Sequence, residues 1–452
     1  MRVAIIGTGY VGLTTGVCLG FMGHSVSCLD TDESKIKALK AGHIPIYEPS
    51  LAELIEEARP NLTFTSSYSE AIPNAEVVFI AVGTPPTPSG APNLEYLSQA
   101  ARSVGQHIQG EFTVVVNKST VPIGSGNWVG SLLRDSVDQR PDKGSIEFAV
   151  ASNPEFLREG SALHDSLYPD RIVIGADEAR ALEVLYTLYR PIVDQTFTAP
   201  TYLPRPETVV AVPLLSTDLA SAELIKYAAN AFLALKISFI NEIGLVAERV
   251  GANIAEVGRG IGLDSRIGNR FLSAGIGWGG SCFGKDTAAL IATAGEYGLH
   301  LPIVEAAKKI NSRQRDRVVE KLLNELKILK GRTIGLLGLA FKPNTDDLRE
   351  APAIEIAQKL IDRGVRVKAH DPIAEERFER EYGQMGVHLC KDASEVADTC
   401  DALVLVTEWA EYRDLDWEAI AKRMRYPFLL DGRHALDRDK ITRAGLRYVG
   451  IS

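Results

Sequence analysis

The chain opens with "RVAII" (2–6), "GTGYVG" (7–12) and "LTTGVCLGFMG", followed by "SVSCLD", which ends in Asp30. This order of strand, glycine loop, small-residue helix, strand and acid constrains the fold more than any other feature, because it is the order a dinucleotide-binding βαβ unit requires. Gly7 permits the tight turn, Gly9 lets the backbone approach a pyrophosphate, and Gly12 lets the helix pack closely on the sheet. The pyrophosphate then sits at the helix N-terminus, where free N–H groups and the helix dipole favour an anion. Asp30 is expected to accept hydrogen bonds from adenosine ribose hydroxyls and to repel a 2′-phosphate, which predicts NAD rather than NADP. The plainer alternative for Asp30 is a helix-capping or surface acid.

Apolar runs continue the alternation: "AEVVFIAV" (75–82), "FTVVVNKST" (112–120), "IEFAVASNP" (146–154) and "RIVIGAD" (171–177), with helical stretches between most of them. Such alternation implies a mostly parallel sheet covered by helices on both faces. "VGTP" (82–85) and "KSTVP" (118–122) fall at the C-terminal ends of strands, where open α/β sheets bind ligands, so Thr84 and Thr120 are candidates, although each also suits an ordinary turn. From about Thr217 to Val250 the apolar residues recur at helical spacing without a proline, predicting a spine that joins domains or pairs subunits. More helix is expected around 252–263 and from about 286 to 329. The N-terminal pattern then returns in weaker form in "GRTIGLLGLAF" (331–341), "VRVKAHDP" (365–372), "CDALVLVTEW" (400–409) and "PFLLDGR" (427–433). The expected fold is α/β, with two Rossmann-like doubly wound domains joined by a long central helical segment. Its boundaries are 1–200 for the NAD-binding domain, 201–317 for a helical dimerisation domain and 318–452 for a second Rossmann-like domain.

A formal charge of −9 with no basic tract argues against a nucleic-acid partner. The five cysteines, Cys18, Cys28, Cys282, Cys390 and Cys400, form no CxxC pair, and the eight histidines are scattered, so neither a disulfide framework nor a metal site is expected. The N-terminus reads as a strand rather than a signal peptide, and no stretch is expected to reach the length of an apolar membrane span. A reducing cytoplasm fits these features.

One cysteine stands apart. In "GWGGSCFGKD" (277–286), Cys282 follows a glycine run that can expose backbone N–H groups and precedes Lys285. That setting suits a thiolate nucleophile better than a packing residue. Cys18 and Cys28 read as core, and Cys390 and Cys400 show no catalytic surroundings. A thiol beside an NAD fold suggests oxidation of an alcohol to an aldehyde, capture as a thiohemiacetal, a second oxidation to a thioester, and hydrolysis. Such chemistry needs a base and an oxyanion stabiliser. "AELIKYAAN" places Lys226 and Asn230 four residues apart on one helical face, where a solvated lysine and a polar cap are the alternative. "NPEFLREG" (153–160) predicts a helix beginning at Glu155, with Glu155 and Glu159 sharing a face, either as functional or as surface acids.

"GTGYVG", "KSTVP", "NPEFLREG", "AELIKYAANAF", "RIGNRFL", "GWGGSCFGKD", "AFKPNTDDLRE" and "DGR" together cover essentially the whole chain. In order and approximate spacing the chain resembles the UDP-glucose 6-dehydrogenases of the UDP-glucose/GDP-mannose dehydrogenase family. The resemblance implies four-electron oxidation of UDP-glucose to UDP-glucuronate with two NAD. It makes Cys282 the nucleophile and Lys226 the base or oxyanion stabiliser, with Asn230 and Asp286 supporting it and an ordered water. Glu155 would activate water on the thioester, and Thr120 would be the active-site threonine. Gly7, Tyr10, Val11, Asp30, Lys35, Thr84, Lys285 and Arg349 match NAD contacts, beside Gly9 and Gly12 of the turn.

Glu159 falls among cofactor and substrate contacts, and the stretch Glu155, Phe156, Leu157, Arg158 lies against the substrate. For the sugar nucleotide, Phe271, Leu272, Ser273, Ala274, Gly275 and Gly279 match backbone contacts, and Lys342 and Arg433 match contacts to the sugar nucleotide. Arg266 matches a residue reaching a neighbouring subunit's substrate. The second α/β domain would bind UDP, the site would close between the two domains, and the long helix would form a homodimer core. Relatives often carry other residues where this chain has Trp278 and Gly284, and the proline-rich 196–215 matches nothing assignable, reading as a linker. The "GGSCF" wording favours UDP-glucose over acetamido sugars. The competing readings are a sister enzyme for GDP-mannose or a UDP-N-acetylhexosamine, a two-electron hydroxyacid dehydrogenase, and an inactive sugar-nucleotide sensor.

Overall fold

The computed structural model describes residues 1–85, 87 and 91–451. The chain divides into two compact units, Met1–Ala228 with Ala288–Tyr297, and Ala229–Thr287 with Gly298–Ser452. The long helix Leu219–Val250 and the helix Phe283–Glu296 each contribute residues to both.

The first unit is built on β1 (Arg2–Ile6), β2 (Ser25–Leu29), β3 (Leu62–Thr65), β4 (Val77–Ile80), β5 (Thr113–Asn117), β6 (Phe148–Ser152), β7 (Ile172–Ala176) and β8 (Leu214–Thr217). They pair in the order β3-β2-β1-β4-β5-β6-β7-β8, parallel except between β6 and β7. Strands β4, β5 and β7 are buried along their whole length because both faces of the sheet are covered. Successive side chains alternate between two cores. Ile5, Phe79, Val114 and Val116 enter one, and Ala4, Ile6, Val78, Ile80 and Val115 the other. The strand order reverses at β1, whose neighbours are β2 and β4, so the turn after β1 opens at a topological switch point.

The second unit carries β9 (Thr333–Leu337), β10 (Arg366–His370), β11 (His388–Leu389), β12 (Ala402–Leu405), β13 (Phe428–Asp431) and β14 (Arg447–Gly450). Their order is β11-β10-β9-β12-β13-β14, with parallel pairing throughout. Helices Ile254–Gly262 and Pro302–Leu326 belong to this unit. The fold is thus α/β with two doubly wound sheets, the first mostly and the second wholly parallel, and a long central helix.

Three sequence expectations need correction. Residues 196–215 are no linker: Val212 is buried and Phe197, Ala199, Leu203, Val209 and Leu214 pack against the first core. Tyr168 donates to Leu203 O at 2.8 Å, and Leu214–Thr217 extends the sheet as β8. Glu155–Glu159 is not helical; the next helix begins at Ala162. Its amides are captured instead by side chains, with Leu157 N donating to Glu155 Oε2 at 2.7 Å and Arg158 N to Asp165 Oδ2 at 2.9 Å. Finally, Leu219–Val250 is long enough and, with a mean hydropathy of 1.4 over its most apolar window, apolar enough to cross a membrane by length and composition. The same helix buries four polar side chains, Glu223, Lys226, Asn230 and Asn241, within the protein.

Candidate active site

In the first unit, Gly7 turns at φ +96°, and a Cβ built there would stand 2.6 Å from Ala81 O. A Cβ on Gly12 would overlap the Gly7 carbonyl, whereas one on Gly9 meets nothing within 4 Å. The turn is therefore closed on its sheet side and open in front of the helix Tyr10–Phe21. That helix has neither a side-chain cap nor an acid in its first turn. An uncapped N-terminus with open space before it fits the pyrophosphate of NAD. Asp30 is almost buried and accepts from Thr8 N at 2.9 Å and Thr8 Oγ1 at 2.8 Å on one oxygen, and from Asp32 N at 3.0 Å on the other. Lys35 Nζ lies 3.7 Å away. Val11 is half-buried in the first turn. Thr84 donates to Thr120 O at 2.9 Å, joining the turns that follow β4 and β5.

Sequence reasoning missed Glu48. This buried carboxylate pairs with the Tyr10 hydroxyl and accepts from Gly160 N at 2.7 Å and Ala162 N at 2.6 Å. It ties the cofactor-side tyrosine to the loop that carries Glu155, from more than a hundred residues away in sequence. No local pattern could signal it.

Glu155 and Lys226 form the charged centre of this unit. Lys226 Nζ donates to Glu155 Oε1 at 2.8 Å and to Glu155 O at 2.6 Å, and both side chains are buried. Burial pushes the Glu155 carboxyl up. The Lys226 ammonium and its hydrogen bond, the Leu157 N–H and Lys118 outweigh that and hold it below the usual carboxylate range. Lys118, which opens "KSTVP", was also overlooked. It is buried, donates to Asn153 Oδ1 at 2.9 Å, and burial brings its ammonium down to about 8, with Glu155 pulling it up and Lys226 pressing it further down. A lysine at a strand's C-terminal end was the available signal. Phe156 lies under the Arg171 guanidinium at 3.6 Å, Arg158 pairs with Asp165 at 2.6 Å, and Glu159 is half-buried.

In the second unit, Cys282 carries a half-buried thiol outside any disulfide, directly before the helix Phe283–Glu296. Its carbonyl accepts the helical N–H of Asp286 at 2.8 Å, so the sulfur stands at a helix N-terminus, where negative charge is favoured. Asn230 Nδ2 donates to Asp286 Oδ2 at 2.6 Å. Asp286 Oδ1 is buried with no hydrogen bond from another described residue, and Lys285 Nζ is 3.3 Å away. That oxygen suits an ordered water. The glycines before Cys282 serve close packing more than N–H exposure. A Cβ on Gly280 would meet the Phe341 ring, one on Gly279 would overlap Glu350 O, and the Gly280 N–H is taken by Arg349 O at 2.9 Å.

Other predicted residues of this unit surround the same loop. Leu272 and Ala274 are buried, Ser273 is exposed and Phe271 adopts φ +65°. Gly275 N donates to Asn241 Oδ1 at 2.8 Å. Arg433 donates to Val406 O at 2.8 Å and Gly277 O at 2.9 Å, so its guanidinium already braces the cysteine loop. Arg349 is paired with Asp347 at 2.8 Å, and Lys342 Nζ lies 5.4 Å over the Phe341 ring. Arg266 is exposed and paired with Asp264 at 2.6 Å. Among the described residues no cluster of three or more His, Cys, Asp or Glu is arranged to hold a metal.

A dinucleotide turn at a switch point, together with a lone thiol at a helix N-terminus, defines an NAD-dependent dehydrogenase of the doubly wound class. The chain belongs to the UDP-glucose/GDP-mannose dehydrogenase family. Its NAD binding domain matches residues 1–193, its central domain 220–313 and its UDP binding domain 335–438. A UDP-glucose 6-dehydrogenase of Bacillus subtilis is 44% identical over all of this chain and 93% of its own length. One of Rhizobium meliloti is 44% identical over 100% of this chain and 99% of its own. The solved UDP-glucose dehydrogenase of Pyrobaculum islandicum superposes with a TM-score of 0.88 at 40% identity, covering 99% of this chain and 97% of its own. A UDP-D-ManNAc dehydrogenase of Pyrococcus horikoshii follows the same fold with a TM-score of 0.83 at 26% identity, covering 100% and 99%.

Proposed function

We propose that the chain oxidises UDP-glucose to UDP-glucuronate, removing four electrons from the sugar's C6 in two stages. The observation that carries this reading is full-length identity of 44% to UDP-glucose 6-dehydrogenases, against 26% to the acetamido-sugar enzyme of Pyrococcus. NAD, two per sugar, supplies the hydride acceptor.

The chain's own groups do the rest. The Lys226 ammonium stabilises the C6 oxygen as it develops charge, and a water held by the Asn230–Asp286 pair takes the C6 hydroxyl proton. Thr120 is read as the active-site threonine. The Cys282 thiolate adds to the C6 aldehyde, giving a thiohemiacetal that can lose a second hydride and become a thioester. Glu155 takes a proton from the water that attacks the thioester, and the thiolate leaves as the carboxylate forms. The Lys226–Glu155 pair supports this division of work. While the two are paired, Glu155 stays ionised. When Lys226 turns to a substrate oxygen, the carboxylate remains buried without its ammonium, and burial then makes it a stronger base.

The UDP moiety is read by the second doubly wound unit, through the 271–275 loop, Gly279, Lys342 and Arg433. The long helix exposes Phe232, Phe239, Val246 and Val250 at helical spacing, and we read this stripe as the seat of a second copy in a homodimer. Sedimentation showing a monomer at micromolar concentration would remove that part. The five cysteines, none of them in a disulfide, suit a reducing cytoplasm.

The test is stoichiometric. Wild type is expected to form two NADH per UDP-glucuronate, and Cys282→Ala to form no acid. One NADH per sugar, or near-normal turnover in Cys282→Ala, rejects the covalent route. A faster rate with GDP-mannose or a UDP-N-acetylhexosamine reassigns the substrate.

A further inference from the structure

Residues 274–280 are buried but belong to no helix or strand. A buried coil must find a partner for each peptide group. Here Ile276 N donates to Gly432 O at 3.0 Å and Gly277 O accepts from Arg433 at 2.9 Å. Trp278 is held differently. Both of its peptide groups go to one side chain: Trp278 N donates to Asn311 Oδ1 at 2.7 Å, and Asn311 Nδ2 donates to Trp278 O at 3.0 Å. Arg315, one turn further along the same helix, adds a hydrogen bond to Trp278 O at 2.9 Å. Asn311 is 2% exposed, and Gly277, at φ +89°, leaves the space its amide fills. The Trp278 ring then packs edge-on against Phe283, the first residue of the cysteine's helix, with centroids 5.9 Å apart.

We infer that Asn311 is a positioning residue that sets where the Cys282 sulfur stands. The amide grips the peptide four residues before the cysteine, and the same residue's indole braces the residue after it. This inference rests on the reading of Cys282 as the nucleophile. Removing the first hydride does not need the thiol, but trapping the aldehyde does. A sulfur displaced by about an ångström loses on the order of 100-fold in attack. Loosening the clamp therefore lets aldehyde escape, each escaping molecule leaving one NADH behind.

The test uses the full-length enzyme with Asn311→Ala and Asn311→Asp; the aspartate keeps the acceptor for Trp278 N and loses the donor to Trp278 O. Asn311→Ala is expected to form UDP-glucuronate roughly 10- to 100-fold more slowly. KM for UDP-glucose should move less than about threefold, as expected when ground-state binding is spared. NADH per UDP-glucuronate should rise above two, with a carbonyl product captured by a hydrazine probe. Asn311→Asp should fall between wild type and alanine. Alkylation of Cys282 by iodoacetamide, followed by mass spectrometry across pH, should give a changed rate profile in both variants. A loss of activity that keeps two NADH per acid, captures no aldehyde and leaves the alkylation profile unchanged would reduce Asn311 to a structural residue and overturn the inference. If Asn311→Ala does not fold, Asn311→Asp decides by the same readouts. The alkylation profile also separates the two claims: wild type failing to make two NADH per acid rejects the proposed reaction, whereas an unmoved profile rejects the clamp.

Discussion

At the end of β1, Gly7 turns at φ +96° with its N–H on Leu29 O at 2.7 Å; at the end of β9, Gly338 turns at φ +97° with its N–H on His370 O at 2.8 Å. In each unit the neighbouring strand runs directly into an acid, Asp30 or Asp371, that accepts from the residue after the glycine. The surroundings then diverge. Asp30 accepts from Thr8 N, Thr8 Oγ1 and Asp32 N. Asp371 accepts from Leu339 N, Ala340 N and Trp409 Nε1 on one oxygen and from Ile373 N and Ala374 N on the other. A carboxylate offers about four lone-pair sites. Asp371 is saturated, while Asp30 keeps capacity for a ribose hydroxyl. A helix starts at Tyr10, three residues after the first glycine, but the second turn reaches no helix until Pro352. The same turn is thus left with acceptor capacity for a ligand in one sheet and is fully tied down in the other, and the difference lies in how many donors the acid already has.

The largest effect is expected where the acid is locked. Asp371→Ala would leave several buried donors without an acceptor, at a cost of about 3 kcal/mol or more. Denaturant unfolding should show a large loss of stability, or the protein should become insoluble. Any soluble fraction should bind NAD within about threefold of wild type, because Asp371 lies in the part of the chain that matches the UDP binding domain and not the NAD binding domain. A loss below about 1 kcal/mol would mean that the donors around Asp371 find other partners, and the contrast between the two turns would fail.

Asp30→Ala should show the reverse profile. Losing a charged acceptor for ribose hydroxyls should weaken NAD binding by roughly 10- to 100-fold, with a smaller change in stability than Asp371→Ala. Discrimination against a 2′-phosphate should fall as well. Calorimetric titration with NAD and NADP checks both. Unchanged NAD affinity would mean that Asp30, too, is only a lock on Thr8.

This contrast also marks what was legible in the sequence. Gly7, Gly12 and Asp30 act through neighbours a few residues away or one strand over, so spacing revealed them. The buried runs of β4 and β5 carried their own signal. β3 and β8 did not, because they are the two edge strands of the sheet and only Phe64 and Thr65 of β3, and no residue of β8, are buried. "NPEFLREG" has the cap and proline of a helix start, yet Glu48 and Asp165 take its later amides, a competition that only tertiary structure can stage. Lys118 was hidden for the opposite reason: its motif was noticed, but burial, which gives a lysine its chemical interest, cannot be read from one strand end. Asn311 sits in an unremarkable helical stretch and matters only because of the loop that leans on it.

The smallest expected effect returns to donor number. Glu223 lies in the first turns of the long helix and accepts only from Gly124 N at 2.6 Å and Gly126 N at 2.8 Å among the described residues. Burial pushes its carboxyl from the ordinary 4.5 up to about 7, against the pull of those two N–H groups. Between these values the folded protein holds a proton that the unfolded chain has released. The contribution of Glu223 to stability is therefore fully present below about pH 4.5 and is lost as pH rises through about 7. Glu223→Gln keeps the shape and removes the titration. The stability of wild type minus that of Glu223→Gln should fall across this window by an amount on the order of 2 kcal/mol. Taking the difference cancels every other group that titrates there. A flat difference would mean that two backbone donors are enough to hold a buried carboxylate ionised, and the five around Asp371 would then be packing rather than the feature that separates the two turns.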